Sequence, residues 1–311
     1  MTRQEGYTII ELLIASAVML TVVAVVTTLL HDGLIGVPVL EEAGDLHQRT
    51  RVAAEAIATE IRSGGAGAEF GRLTDAFASV LPRTLADGPT VAMPDVLTIL
   101  YVPPHGATSR LLTALDPGAP TAFIEAVGGC PALVTACGFN TNSRAVVFDG
   151  AGGSDVVSVD AIGPGLLTIS DIWGGRSRSY APGSHVAEVA TVTFSLDAAT
   201  RQLRRLVGAA TFTLADNVTE LRFQYYDGAL VPVPLTAMTD GPFRGSGLTM
   251  VDEDLRRVRT VRVTLRLETG ADELRGRDPN LFARPGTADA RRMLPDLGTT
   301  FDVTIRNGGR P

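Results

Sequence analysis

The sequence predicts an α+β protein: a long N-terminal α-helix, membrane-spanning and then amphipathic, packed on a β-rich globular head with an antiparallel sheet. Three observations predict it. An apolar run from Tyr7 to Leu30 is long enough to cross a bilayer. Apolar residues then recur at three-to-four spacing as far as residue 62. Beyond that, short alternating runs bounded by glycine and proline replace the helical period. The chain therefore divides into a polar leader (1–6), the helix (7–62) and the head (63–311).

Composition agrees with this division. The chain has 311 residues, a net charge of -7 and 45% hydrophobic residues, enough for one membrane helix plus one sizeable or two small domains. A pI near 5.2 argues against nucleic acid as the main partner, because phosphate backbones select basic surfaces. All 27 basic residues are arginine, a feature of composition with no functional reading attached. The 33 glycines, 18 prolines and 5% aromatics suit a loop-rich β protein better than a helical bundle.

The leader, Met1 to Gly6, carries Arg3, and the apolar run begins abruptly at Tyr7. Residues 25–40 offer no small-residue cleavage site of the secretory kind, so the segment reads as retained. About 24 residues at helical rise give ~36 Å, enough for a tilted bilayer crossing. Arg3 before the run, with no basic cluster just after it, fits a cytoplasmic N-terminus. One carboxylate, Glu11, lies inside the run. A charged acid at the bilayer centre costs about 2.5–3.5 kcal/mol on insertion scales, so such residues tend to be paired and functional. The plain structural alternative is a glutamate snorkelling to the interface of an ordinary signal anchor.

The stretch Gly6-Tyr7-Thr8-Ile9-Ile10-Glu11-Leu12-Leu13-Ile14-Ala15 resembles the class III signal of type IV pilins and type II secretion pseudopilins. Tyr7 stands where that family usually has Phe, and Glu5 where a basic residue is common. The resemblance implies that prepilin peptidase cuts between Gly6 and Tyr7 on the cytoplasmic side and methylates the new N-terminus. Glu11 then becomes the fifth residue of the mature chain. The freed Tyr7 amine supplies a cation about one turn from Glu11 in the same helix, or across to a neighbouring subunit, where the pairing would set the axial stagger of a filament.

After Leu30, Gly33, Gly36 and Pro38 are expected to weaken or break the helix. The pattern resumes with Leu40, Ala43, Leu46, Ala53, Ile57 and Ile61 on one face, and Glu41, Glu42, Asp45, Arg49 and Glu60 on the other. The Ser63–Gly67 segment ends it. This half resembles the pilin spine, whose amphipathic part docks on the head.

In the head, 96–102 and 155–162 read as short strands. Alternation is clearest late. Leu221, Phe223 and Tyr225 oppose Glu220, Arg222 and Gln224, and Asp227-Gly228 reads as a hairpin turn. Val261, Val263, Leu265 and Leu267 oppose Arg262, Thr264 and Arg266, and Phe301, Val303 and Ile305 repeat the rule. These three strands are expected to form one antiparallel sheet with a wet outer face, its arginines solvated rather than a ligand patch.

The pieces "FSLDAATRQLRRL", "LADNVTELRFQYYDG", "RRVRTVRVTLRLET" and "VTIRN", over roughly 194–307, are similar to the head of PilW-type minor pilins and the related J-type minor pseudopilins. The resemblance implies a tip or priming subunit of a type IV pilus, or alternatively of a type II secretion pseudopilus. It implies other pilin or pseudopilin subunits, prepilin peptidase, the inner membrane and a tip adhesin as partners. The head would be periplasmic. It leaves residues 64–190 unexplained.

Cys130 and Cys137, in "GGCPALVTACGF", are too isolated for a metal set and lack CxxC spacing. A local disulfide in an oxidising compartment is the natural reading, against two buried free thiols. Closing so small a loop contributes about 2.5 kcal/mol at most, so it pins a loop rather than holding a fold.

No catalytic constellation stands out, and no cofactor or metal is expected. There is no G-x-S-x-G elbow, no H-E-x-x-H and no P-loop. "GAGGSD" (150–155) precedes a strand rather than opening a helix. Asp252, Glu253 and Asp254 are calcium candidates, though a lone acidic run is more often a solvated turn. His185 and Glu188 read as surface. A membrane-anchored periplasmic enzyme or binding protein remains the competing class, and a catalytic cluster would favour it.

Overall fold

The structure, a computed structural model, describes residues 8–67, 78–88, 90–104, 106–127, 130, 136, 138–149, 154–171, 176, 178–208, 210–244, 251–271, 274, 282–283, 291–292 and 294–305. It is α+β, with an apolar N-terminal helix and a strand-rich antiparallel domain. By contacts the chain divides into two units: Met1–Gln48 with Thr269–Asp296, and Arg49–Glu268 with Leu297–Pro311.

Helix α1 runs Ile9–Ser63, 55 residues. The break expected at Gly33, Gly36 and Pro38 does not occur. A second nucleation is costly, so a helix that is favourable on both sides propagates through a local defect rather than creating two new ends. The chain stops where expected: Gly65 takes φ 68°, a left-handed conformation that glycine adopts without a Cβ clash, and its N–H donates to the Leu100 carbonyl at 2.9 Å.

In the first unit, Glu42 on α1 accepts hydrogen bonds from the Thr269 hydroxyl at 2.8 Å and the Gly270 N–H at 2.5 Å. Leu46 is buried, but Leu40, assigned to the same stripe, is 74% exposed. The buried stripe begins at Leu46 and continues in the second unit through Thr50, Ala53, Ile57 and Ile61, steps of three or four that return to one helical face.

The strands follow in chain order: β1 Val80–Leu81, β2 Val96–Tyr101, β3 Thr108–Arg110, β4 Thr121–Phe123, β5 Ser143–Phe148, β6 Ser154–Gly163, β7 Leu166–Asp171, β8 His185–Asp197 and β9 Gln202–Val207. Then come β10 Ala210–Ala215, β11 Val218–Tyr226, β12 Pro232–Val233, β13 Phe243–Arg244, β14 Val251–Asp252, β15 Thr260–Leu267, β16 Phe282–Ala283, β17 Arg291–Arg292 and β18 Leu297–Thr304. Strands β16 and β17 pair in the first unit; the others belong to the second.

The larger sheet has ten strands in the order β1-β2-β8-β5-β6-β7-β4, with β3 and β9 also on β8, and β10 on β9. Its backbone is β8, 13 residues long. Residues 185–189 of β8 pair with β3 and β5, and 190–197 pair with β2 and β9. The half around β3–β7 closes its own core, with Leu115, Val147, Val157, Val159, Leu167 and Tyr180 all essentially inaccessible. The segment 64–190, which resemblance left unexplained, thus supplies most of this sheet.

The second sheet is β12-β11-β15-β18, so the three strands expected to pair do pair. Leu221, Phe223, Tyr225, Val261, Val263, Leu265, Val303 and Ile305 are buried. The other face is wet, and its charges pair across strands. Arg262 makes two bonds to Asp302, at 2.7 and 2.8 Å, and lies 4.9 Å over the Tyr226 ring. That pairing holds the Asp302 carboxyl below its ordinary range. The β11–β12 turn differs from the expected Asp-Gly hairpin. It spans 227–231, and Leu230 (φ 61°), not Gly228, takes the left-handed conformation. The Asp227 side chain holds it by accepting from the N–H groups of Ala229 and Val231, both at 2.9 Å, and these bonds depress its pKa.

Candidate assembly site

Gly6 and Tyr7, the expected cleavage and methylation residues, lie outside the described residues. Description begins at Thr8, and Thr8 proves to be coupled to Glu11. The Thr8 N–H donates to Glu11 Oε2 at 3.0 Å, the Thr8 hydroxyl to the same oxygen at 3.1 Å, and the Glu11 N–H to Thr8 Oγ1 at 3.3 Å. This is a capping box, in which a threonine and a glutamate three residues on satisfy each other's orphan backbone donors. The Thr-x-x-Glu spacing that makes such a box is itself legible in the sequence, at Thr8 and Glu11. Both oxygens of the acid are therefore not equivalent. Oε2 is held at the helix start, and no hydrogen bond to Oε1 is seen among the described residues.

Behind the cap, Ile9–Leu30 is 22 residues long with mean hydropathy 2.7 and none of its length buried, long and apolar enough to cross a membrane. Its few hydroxyls are internally satisfied. Ser16, Thr21, Thr27 and Thr28 each donate to the carbonyl four residues back, at 2.7, 2.8, 2.7 and 2.9 Å. Along this stretch only Glu11 keeps a polar side-chain atom, Oε1, without a hydrogen bond among the described residues.

Further along, Ala53, Ile57 and Ile61 are completely buried in the second unit. Beside them Glu60 pairs with Arg205 on β9, and its charge acts on Tyr101 on β2. Burial and the Glu60 charge together raise the Tyr101 pKa. The last turns of α1 are thereby fixed to two strands by both apolar and ionic contacts.

Cys130 is disulfide-bonded; Cys137 lies outside the described residues. We expect Cys130 in freshly isolated protein to resist alkylation until a reductant is added, read by intact mass. Immediate labelling would contradict both the bond and an oxidising compartment.

The acidic run is not a solvated turn throughout. Asp252 is fully buried and caps the 3-10 turn Glu253–Arg257, accepting from the N–H groups of Asp254 (2.9 Å) and Gly241 (2.8 Å). With its oxygens committed to backbone donors, Asp252 is a structural group. Among the described residues no set of three His, Cys, Asp or Glu side chains is placed to hold a metal. His185, read as surface, stacks on Phe148 with ring centroids 5.2 Å apart, and partial burial lowers its pKa. Glu188 accepts from the Asn140 amide at 2.9 Å.

No family model matches the chain, and no curated protein or solved structure matches it either. The functional reading rests on the chain itself.

Proposed function

We propose that the chain is a minor pilin, a tip or priming subunit of a type IV pilus, processed by prepilin peptidase and held in the inner membrane by α1 before assembly. One observation carries the reading: a lone carboxylate at the head of an exposed apolar helix, held by its own N-cap through Oε2, with no hydrogen bond to Oε1 among the described residues. The head is periplasmic, and α1 packs first in the bilayer and then among the helices of neighbouring subunits. No cofactor or catalytic step is involved.

Processing supplies the test. The mature chain begins at N-methylated Tyr7, losing Arg3 and Glu5 with the leader, so its net charge stays at -7. Intact-mass analysis of membrane-extracted protein, with and without active prepilin peptidase, reads this directly. A retained leader in cells with active peptidase would overturn the proposal.

A further inference from the structure

Strand β10, Ala210–Ala215, is an edge of the larger sheet: among the described residues it pairs only with β9. Its residues are Ala-Thr-Phe-Thr-Leu-Ala, and the first four are solvent-exposed, with Phe212 51% exposed. Proteins usually blunt such edges with lysine, proline or inward charges, because unpaired backbone groups template another strand. The long edge β18 carries Asp302, whereas β10 carries no charge and no proline.

We propose that β10 is a docking edge for β10 of a second copy of this chain. The motif Thr211-Phe212-Thr213 reads the same in both directions. An antiparallel register centred on Phe212 therefore sets Phe212 against its own copy and each Thr211 against a Thr213. Aromatic pairs and Thr–Thr pairs are both favourable across antiparallel strands. Such a contact is isologous and closes at two copies.

Charge does not oppose this occupant. An uncharged strand meets its copy without repulsion, and the arginines one strand inward are already neutralised: Arg204 by Asp197 at 2.6 Å, and Arg205 by Glu60. Beside β10 an open groove of about 380 Å³ has a mixed lining, Val52, Ala56, Thr59 and Leu214 with the charged Glu55, Glu60 and Arg205. This contact belongs to the head and does not depend on the pilin reading.

The test uses the full chain in detergent. Light scattering should show a dimer, and Thr213→Lys should raise the concentration of half-dissociation at least about tenfold while leaving the circular dichroism spectrum unchanged, since two like charges would then lie on one face as diagonal neighbours, about 7–8 Å apart. Register is read by mild oxidation. Phe212→Cys should give a disulfide-linked homodimer, because opposed residues lie about 4.5–5.5 Å apart. Ala210→Cys should not, since two copies of residue 210 would be offset by four residues, about 13 Å. A monomeric wild type, equal dimerisation by Thr213→Lys, or equal cross-linking at 210 and 212 would each overturn the proposal. So would a Phe212→Cys adduct formed with a different protein in place of the homodimer.

Discussion

Glu11→Leu should be inserted and processed normally, and should then fail to enter filaments. Insertion becomes easier, because removing the carboxylate lifts a desolvation cost of up to about 2.5–3.5 kcal/mol. On the proposed function, the mutant would leave a neighbouring subunit's Tyr7 amine buried without a counter-charge. Breaking a buried pair by removing one partner costs about 3–5 kcal/mol, more than about a hundredfold in the incorporation equilibrium.

The capping box complicates this substitution, because Glu11→Leu also removes the acceptor for the Thr8 N–H. A lost cap costs only about 1 kcal/mol, so the pairing term should dominate. Glu11→Gln separates the two: glutamine serves in a capping box as glutamate does, yet it carries no charge. We expect Glu11→Gln to accumulate, processed, in the inner membrane with pilus numbers as low as for Glu11→Leu. Electron-microscopic pilus counts and membrane fractionation decide the matter. If glutamine restores filament number, helix capping rather than charge pairing is what Glu11 supplies. A subunit at the very tip has no neighbour ahead of it and would tolerate the change, so lost incorporation is the expected result for a subunit that joins behind another, as in a priming complex.

The parts of the fold legible in the sequence are those with one wet face. Leu221, Phe223 and Tyr225 alternate with Glu220, Arg222 and Gln224 because β11 is covered on one side only, and β15 and β18 obey the same period. Strand β8 was not legible for the opposite reason. Thr191 to Phe194 are buried consecutively, so both faces are covered there and no period-two signal survives. Its polar residues are also misleading by composition. Thr98 on β2 and Thr193 on β8 are buried because their hydroxyls bond each other at 2.7 Å.

The candidate site shows the same division. An acid in an apolar run announces itself. The Thr8 partner that holds it, and the Arg205 that fixes Glu60 from 145 residues away, depend on local geometry and on a long-range pairing that residue types alone do not specify. The helix continuing through Pro38 likewise reflects cooperativity of the whole element, which a residue-by-residue reading of breakers misses.

Tyr180→Phe should destabilise the β3–β7 core, and the loss should grow as pH rises from about 4 to 8. Asp155 is 3% exposed, and its Oδ2 accepts the Tyr180 hydroxyl at 2.7 Å while its Oδ1 has no hydrogen-bond partner among the described residues. Burial raises the Asp155 pKa, and the Tyr180 bond is the largest influence lowering it. A carboxyl whose folded pKa lies above its unfolded value contributes its full stability below the unfolded pKa, and that contribution is lost as pH rises through the folded one. Removing the Tyr180 hydroxyl lifts the folded pKa further, so the charged form at neutral pH is penalised more. The cost should be about 1–3 kcal/mol near pH 7 and smaller below the ordinary aspartate value of 3.8, where the carboxyl is protonated in both states. Asp155→Asn keeps an acceptor for Tyr180 without a charge, and should flatten the pH slope. Thermal melts of the full chain in detergent, followed by circular dichroism across that pH range, measure both. A Tyr180→Phe penalty that is independent of pH would show that the hydroxyl acts by packing alone, and that Asp155 does not titrate over this interval.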